Sequence, residues 1–233
     1  MKIPKIFHQV WFNFLSPGEA QHPPKKEAEL TRGWLRKHPD WDYMLWNERT
    51  CRDLISAHYS WFLETYDSFE APIHKVDAVR YFILDHYGGI AMDFDFVCYR
   101  NIEELFLEKD REVYLVPEPQ LHCTQQQNEN NFKHSTLICN GWVASAPKAS
   151  FWQEALFKLE ASYEHELPGV IHQTGPGFIS RAYFSYEGKQ EIEVIPSILF
   201  FPGYGHGFNW ENLENEAAKH GSYAAHLWHG SWI

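Results

Sequence analysis

Two aspartates, Asp93 and Asp95, stand in an apolar run, residues 87–97, that is typical of a buried β-strand. An unpaired buried carboxylate is costly, so each must be paired, protonated or bound to a metal. Residues at i and i+2 of a strand point to one face, so both carboxylates would lie side by side. With no basic residue between them, they predict a site for a hard divalent cation. The alternative is that one aspartate begins a loop and the other caps a helix.

The elements that must position this pair alternate between strand and helix along the chain. Strands are predicted at residues 3–11, 43–46, 113–116 and 137–145, and helices at residues 27–37, 49–58, 59–69, 73–87 and 149–162. This alternation predicts an α/β fold, in which ligands bind at the carboxyl ends of strands. The Gln- and Asn-rich stretch 124–131 is predicted to be a mobile loop. We predict one domain over residues 1–233, with a small helical insertion around residues 49–69.

The amino-acid composition narrows the classes of function that the chain could have. The chain has 20 basic and 31 acidic residues, a formal charge of −11, which argues against general nucleic-acid binding. Its aromatic fraction of 17% with 10 Trp indicates stacking on sugars or bases, or a membrane-facing patch. The four cysteines form no CxxC pair, which favours a reducing compartment. No apolar run has the length of a membrane span, so we expect a cytoplasmic protein, with peripheral contact at the inner membrane face.

Four blocks of residues carry a resemblance to a known family, and they are residues 3–11, 77–95, 140–147 and 226–232. The chain resembles the DXD-containing glycosyltransferases of the sugar-binding-region type, glycosyltransferase family 32. That family includes yeast mannosyltransferases and bacterial transferases of capsule or lipopolysaccharide biosynthesis. The chain is also similar to the catalytic domains of the large clostridial glucosylating toxins. The blocks occur in family order over almost the whole chain.

The resemblance implies a GT-A fold, an α/β architecture with a mixed central sheet flanked by helices. It also implies a nucleoside-diphosphate sugar donor (UDP- or GDP-linked), Mn²⁺ or Mg²⁺, and transfer of a hexose with retention to a glycan, lipid-linked sugar or other hydroxyl acceptor. A divalent ion would neutralise the charge that develops on the leaving diphosphate. No residue clearly serves as a covalent nucleophile, which favours front-face attack. The alternatives are a metal-dependent phosphohydrolase of nucleotide sugars and a non-catalytic carbohydrate-binding module.

The resemblance also implies roles for particular residues. Asp95 would bind the metal directly, whereas Asp93 would hold ribose or sugar hydroxyls and a metal-bound water, or act as a structural acid. His226 would be a further metal ligand or would donate a hydrogen bond to the diphosphate. Arg80 would reach sugar or phosphate oxygens, and with Asp93 and Asp95 it forms the predicted catalytic set.

The remaining residues of the predicted set would bind the donor. Asp77 would bind its ribose or sugar, although an ion pair with Arg80 along the same helix face is the alternative. Trp11 would stack on the nucleobase, unless it is a core residue. Asn140 would contact the donor or the acceptor sugar, and Ser231 and Trp232 would close over the donor.

Overall fold

The computed structural model describes residues 2–12, 22–130, 133–164, 169–204 and 212–229. Their strands are β1 (Ile6–Val10), β2 (Asp42–Trp46), β3 (Gly89–Met92), β4 (Phe96–Cys98), β5 (Val113–Pro117), β6 (Ile138–Ser145), β7 (Ile192–Val194) and β8 (Ala224–His226). Their helices are α1 (Lys25–Lys37), α2 (Glu48–His58), α3 (Leu63–Ser68), α4 (Pro72–Tyr87), α5 (Glu103–Glu108), α6 (Gln120–Asn130), α7 (Ser150–Glu164), α8 (Gly169–Gln173), α9 (Pro176–Ser185) and α10 (Leu213–His220).

Six strands form a mixed central sheet in the order β2–β1–β3–β6–β5–β7. Strand β1 runs parallel to β2 and β3, β7 runs parallel to β5, and β6 runs antiparallel to both β3 and β5. Every strand of this sheet except β6 therefore ends at the same edge, where β6 begins. A separate two-stranded sheet pairs β4 with β8 in antiparallel register. The predicted mixed sheet is confirmed.

Helices cover both faces of the central sheet, as the alternating contacts of the β5 side chains show. Val113 and Leu115 pack in one core cluster with residues of α4, α7 and α9, whereas Tyr114 and Val116 pack in a second cluster with residues of α1 and α5. Successive side chains of a strand point to opposite faces, so burial of all four requires layers on both sides. The helices flanking the sheet supply those layers, as the α/β prediction requires.

Two local predictions are wrong. The run 87–97 is not one strand, because β3 ends at Met92 and the chain turns at Asp93–Asp95 before β4 begins. A continuous strand would place both carboxylates inside a doubly covered sheet, and the turn removes them from it. The stretch 124–131 is predicted to be a mobile loop, but its residues 124–130 belong to helix α6. Glutamine is a good helix former, and Cys123 anchors the helix against Leu137.

The segment around residues 49–69 is helical, as predicted. Helix α2 begins with a capping box between Asn47 and Thr50, and a 3₁₀ turn leads into α3. Phe62 of that turn packs on Phe82 of α4 at 4.8 Å between ring centroids. That this segment is an insertion in a single domain stays a prediction.

The structure also bears on the predictions about cysteines and membrane spans. All four cysteines are buried free thiols. Among the residues described, no helix combines the length and apolarity that crossing a bilayer requires. The placement of the protein in the cell stays a prediction.

Candidate active site

A cavity of about 400 Å³ opens at the edge of the sheet where the parallel strands end. Trp11 follows β1, Asp93 follows β3, Glu118 follows β5, and Asn140 lies near the start of β6; all four line the cavity. Ligands bind at this edge in α/β proteins because the loops after the strands converge there. The topology thus brings together residues that are far apart in sequence.

Arg80 is the central cation of the cavity wall. It lies on α4, which begins at Pro72, and its side chain is 6% exposed. Its guanidinium donates to Asp93 Oδ1 at 2.8 Å and to the backbone carbonyl of Asn140. The distance to Asp77 Oδ1 is longer, 3.6 Å. The ion pair along the helix therefore exists, but the hydrogen bond of Arg80 goes to the aspartate of the turn.

Asp77 is buried and bonded on both carboxylate oxygens. Asn140 Nδ2 donates to Asp77 Oδ1 at 2.8 Å, and the Thr174 hydroxyl donates to Oδ2 at 3.4 Å. Burial raises the pKa of Asp77 to about 6, although nearby Arg80 acts in the opposite direction. Burial also tends to lower the pKa of Arg80, but Asp93 and Asp77 raise it above its ordinary value, so the guanidinium stays charged.

The turn that carries Asp93 is held by backbone contacts. The amide of Asp93 donates to the Gly141 carbonyl at 2.7 Å, and Gln9 Nε2 donates to the Asp93 carbonyl at 3.2 Å. Gln9 is itself fixed by hydroxyls of Thr31 and Tyr43, at 2.7 and 3.1 Å from its Oε1. A Cβ atom on Gly141 would lie 2.5 Å from Asp93 Oδ2, so the Asp93 carboxylate would have to move to make room for it.

Asp95 is held by the C-terminal part of the described chain. His226 Nε2 lies 3.0 Å from Asp95 Oδ1, and the amide of His229 donates to Oδ2 at 2.9 Å. The β4–β8 pairing places Phe96 opposite His226, and their rings stack at 4.4 Å. Burial tends to raise the pKa of Asp95, but hydrogen bonds from His226 and the His229 amide bring it below its usual value. Pairing of β4 with β8 thus joins His226 to the aspartate turn.

Asp93, Asp95 and His226 form a group that could hold a metal ion. Each offers one ligand atom, and these atoms lie within 4.8 Å of one another. Carboxylate oxygens with one imidazole nitrogen suit Mn²⁺ well, whereas Mg²⁺ prefers oxygen ligands alone. The second ring nitrogen of His226, Nδ1, is buried and has no hydrogen-bond partner among the described residues. The donor set therefore fits a divalent cation.

Aromatic side chains complete the cavity wall. Trp11 is half-buried and contacts the edge of Phe94, with centroids 5.5 Å apart. Trp228 has a φ of 53°, an unusual conformation for a bulky residue, and its ring lies 4.3 Å from that of His226. Ser231 and Trp232, predicted to close over the donor, lie outside the described residues.

Sequence reasoning missed several polar residues of the cavity, and Glu118 and His122 are two of them. The Glu118 carboxylate side chain is 4% exposed and pairs with His122 Nδ1 on α6. Only a weak signal was present, because Glu118 lies two residues after the predicted strand 113–116, at the same sheet edge as Asp93. The prediction of a loop over 124–131 obscured the helix that carries its partner.

Comparisons of sequence identify relatives of this chain. Residues 24–112 match the model of the family described as glycosyltransferase sugar-binding region containing DXD motif. An uncharacterized glycosyltransferase of Acanthamoeba polyphaga mimivirus is 32% identical over 233 residues, covering 99% of this chain and 84% of that protein. Inositol phosphoceramide mannosyltransferase 1 of Schizosaccharomyces pombe is 29% identical, covering 89% of this chain and 59% of the relative. The mannosyl phosphorylinositol ceramide synthase SUR1 of Saccharomyces cerevisiae is 38% identical, covering 79% of this chain and 43% of the relative. This chain therefore spans about half the length of each of these two fungal relatives.

Comparisons of structure agree with the sequence on the fold. The PaToxG glycosyltransferase superposes with a TM-score of 0.58 at 14% identity, covering 80% of this chain and 71% of that one. Mouse xyloside xylosyltransferase 1 superposes with a TM-score of 0.54 at 12% identity, covering 99% and 100%. The predicted GT-A fold is confirmed. Because the similarity to the mimiviral protein extends over 99% of this chain and a DXD turn lies between β3 and β4, the chain belongs to the DXD-containing sugar-binding-region family of glycosyltransferases.

Proposed function

We propose that this glycosyltransferase is a metal-dependent, retaining enzyme that moves a hexose from a nucleoside-diphosphate sugar to a hydroxyl acceptor. The observation that carries the proposal is the convergence of Asp93, Asp95 and His226 beside the buried cation Arg80. Two carboxylates with an imidazole suit a divalent ion, and a divalent ion with a guanidinium suits a diphosphate. A cavity wall that carries these charged groups would be poorly suited to a ligand without charge.

In this proposal Asp95, Asp93 and His226 hold Mn²⁺ or Mg²⁺. When bound, the ion supplies positive charge that stabilises the departing diphosphate. Asp93 is the more open carboxylate, with its side chain 36% exposed against 14% for Asp95. We therefore assign Asp95 to the metal and give Asp93 a second contact, to ribose or sugar hydroxyls. Arg80 orients the Asp93 carboxylate through their 2.8 Å hydrogen bond.

The donor contacts follow from the cavity wall. Trp11 offers an aromatic face at the end of β1, suitable for stacking on the nucleobase. Asn140 presents an amide that is oriented by its hydrogen bond to Asp77, so Asp77 acts on the donor through Asn140 as well as directly. Ser231 and Trp232 are proposed to contact the diphosphate from the C-terminal end.

Retention is proposed to occur by front-face attack. Each carboxylate that lines the cavity is already engaged by a side chain or an amide: Asp77 by Asn140, Asp93 by Arg80, Asp95 by His226, Glu118 by His122 and Glu27 by His229. Among the residues that the structure describes, none is therefore the obvious covalent nucleophile. The acceptor oxygen forms its bond to the anomeric carbon as the bond to the diphosphate breaks, and the departing phosphate oxygen takes the hydroxyl proton.

The names of the fungal relatives suggest a specific donor and acceptor. Two of them are named as enzymes that put mannose on inositol-containing ceramides. We propose mannose as the hexose, and a glycan or an inositol-bearing lipid as the acceptor.

The test is thermal unfolding with GDP-mannose, UDP-glucose and UDP-galactose, each with Mn²⁺ and with chelator. A ligand at a hundred times its Kd stabilises a fold by about 2.7 kcal/mol, or roughly 5–10 °C here. We expect one nucleotide to give this shift only with the metal. An Asp95→Asn variant should lose the shift, and an Asp53→Asn variant, changed at an exposed position of α2, should keep it. Absence of any shift with well-folded protein would refute the proposal.

A further inference from the structure

Glu118, His122 and Gln126 form a polar row along one wall of the cavity. Glu118 pairs with His122 Nδ1, and Gln126 Nε2 donates to His122 Nε2 at 3.2 Å. All three residues line the same cavity as Asp93 and Asp95. None of them has a part in metal or donor binding as proposed above. A buried carboxylate next to a ligand cavity needs a role, because its burial is costly.

Trp228 contacts both this polar row and the candidate metal site. Its ring lies 4.3 Å from the ring of His226 and 4.8 Å from that of His122. Tyr204 extends the aromatic surface, with its ring 5.4 Å from that of Trp228. One aromatic ring thus contacts both the row and His226 of the candidate metal site, so the row borders the place where the diphosphate would bind.

The chemistry of the row selects its ligand. A carboxylate repels phosphate groups, so Glu118 is unsuited to the diphosphate, which Arg80 and the metal site attract. A carboxylate accepts hydrogen bonds from hydroxyl groups, and an amide side chain both accepts from them and donates to them. The aromatic surface of Trp228 and Tyr204 offers an apolar wall for the C–H face of a ring. Together these features match a ring that carries several hydroxyls.

We infer that Glu118, His122, Gln126 and Trp228 form the acceptor subsite and bind a polyol ring, either a sugar or a cyclitol. Glu118 accepts a hydrogen bond from a ring hydroxyl, and Gln126 binds a neighbouring one. His122 holds both side chains in place and is a positioning residue. This inference rests on the proposed function, because it requires a donor in the other half of the cavity.

The test separates the acceptor from the donor. Transfer is measured with the donor found by thermal shift, and with methyl α-mannoside, lactose and micellar inositol phosphoceramide as acceptors. Glu118→Gln should raise the acceptor KM about tenfold to a hundredfold, and Gln126→Ala about twofold to tenfold, the effects of losing a hydrogen bond to a charged group and to a neutral amide. The Kd of the nucleoside diphosphate with Mn²⁺, measured by calorimetry, should change less than about threefold. Glu154→Gln, at an exposed position of α7, is the matched control.

Each other outcome has a definite meaning. An unchanged acceptor KM in both variants would overturn the inference. A nucleotide Kd that moves in step with the acceptor KM would assign the row to the donor and overturn it as well. Hydrolysis of the donor by the wild type without transfer to any of the three polyols would refute a polyol acceptor. Failure of the wild type to bind any nucleotide sugar would instead refute the proposed function, and this inference with it. Because Gln126→Ala removes no charge, it decides the question if Glu118→Gln does not fold.

Discussion

Asp77 gives the cavity a pH-dependent stability that one substitution should remove. Burial raises its pKa from an ordinary 3.8 to about 6, against the opposing effect of Arg80. The native state therefore holds a proton on Asp77 at pH values where the unfolded chain has released it. The resulting stabilisation is fully present below the unfolded pKa and is lost as the pH rises through the folded one.

The size of the effect follows from the shift. At 1.36 kcal/mol per pKa unit, the loss is roughly 3 kcal/mol between about pH 4 and pH 7. Asn at position 77 has no charge to bury and can still accept from Asn140 through its carbonyl oxygen. The free energy of unfolding of the wild type minus that of Asp77→Asn should therefore fall by this amount over the interval. In thermal terms the difference is about 6–12 °C for a chain of this size.

The assay is urea unfolding of both proteins at several pH values, in chelator and without nucleotide. Carboxylates common to both proteins cancel in the difference. Asp53→Asn is the control, because Asp53 is exposed and pairs only at 3.5 Å with Arg49 on the same helix. A difference between wild type and Asp77→Asn that stays constant with pH would refute the reasoning. It would mean that Arg80 outweighs burial and that Asp77 is ionised throughout.

Three further predictions concern the turn and its partner. Asp95→Asn should keep the fold but lower transfer by at least roughly a hundredfold, since a metal ligand is lost; circular dichroism and initial rates check this, and near-normal rates would contradict it. His226→Phe should preserve stacking on Phe96 but weaken Mn²⁺ binding by about 10–100-fold, measured by calorimetry; unchanged affinity would remove His226 from the site. Gly141→Ala should displace the Asp93 carboxylate, because the new Cβ would lie 2.5 Å from Oδ2. We expect kcat/KM to fall while the melting temperature changes little. A normal kcat/KM would show that the turn can adjust.

Local patterns in the sequence predicted most of the elements. The helix expected at 73–87 is α4, and the strand expected at 137–145 is β6, because long apolar patterns bounded by Pro or Gly report burial directly. The patterns failed where local composition and tertiary context disagree. Polar composition predicted a loop at 124–131, but residues 124–130 continue the helix α6, in which Cys123 packs against Leu137.

The site residues, like the secondary-structure elements, include some that the sequence predicted and some that it did not. Asp77, Arg80, Asp93 and Asn140 were predicted from motifs, and the structure brings them into one hydrogen-bonded cluster. Their assignment to donor and metal stays a prediction. Glu118 was not predicted, because a single acidic residue after a strand carries little information until its neighbours in space are known.

What the sequence by itself determined is the α/β alternation, the acidic pair and membership of a glycosyltransferase family, because these depend on residue types and short spacings. Only the tertiary structure decided which groups meet. Asp95 and His226 are 131 residues apart and are joined by the β4–β8 pairing, and Arg80 has its shorter contact with Asp93 of the turn instead of Asp77 on its own helix. Both outcomes depend on strand pairing and on the burial of charge, and these are set by the whole sheet and its covering layers.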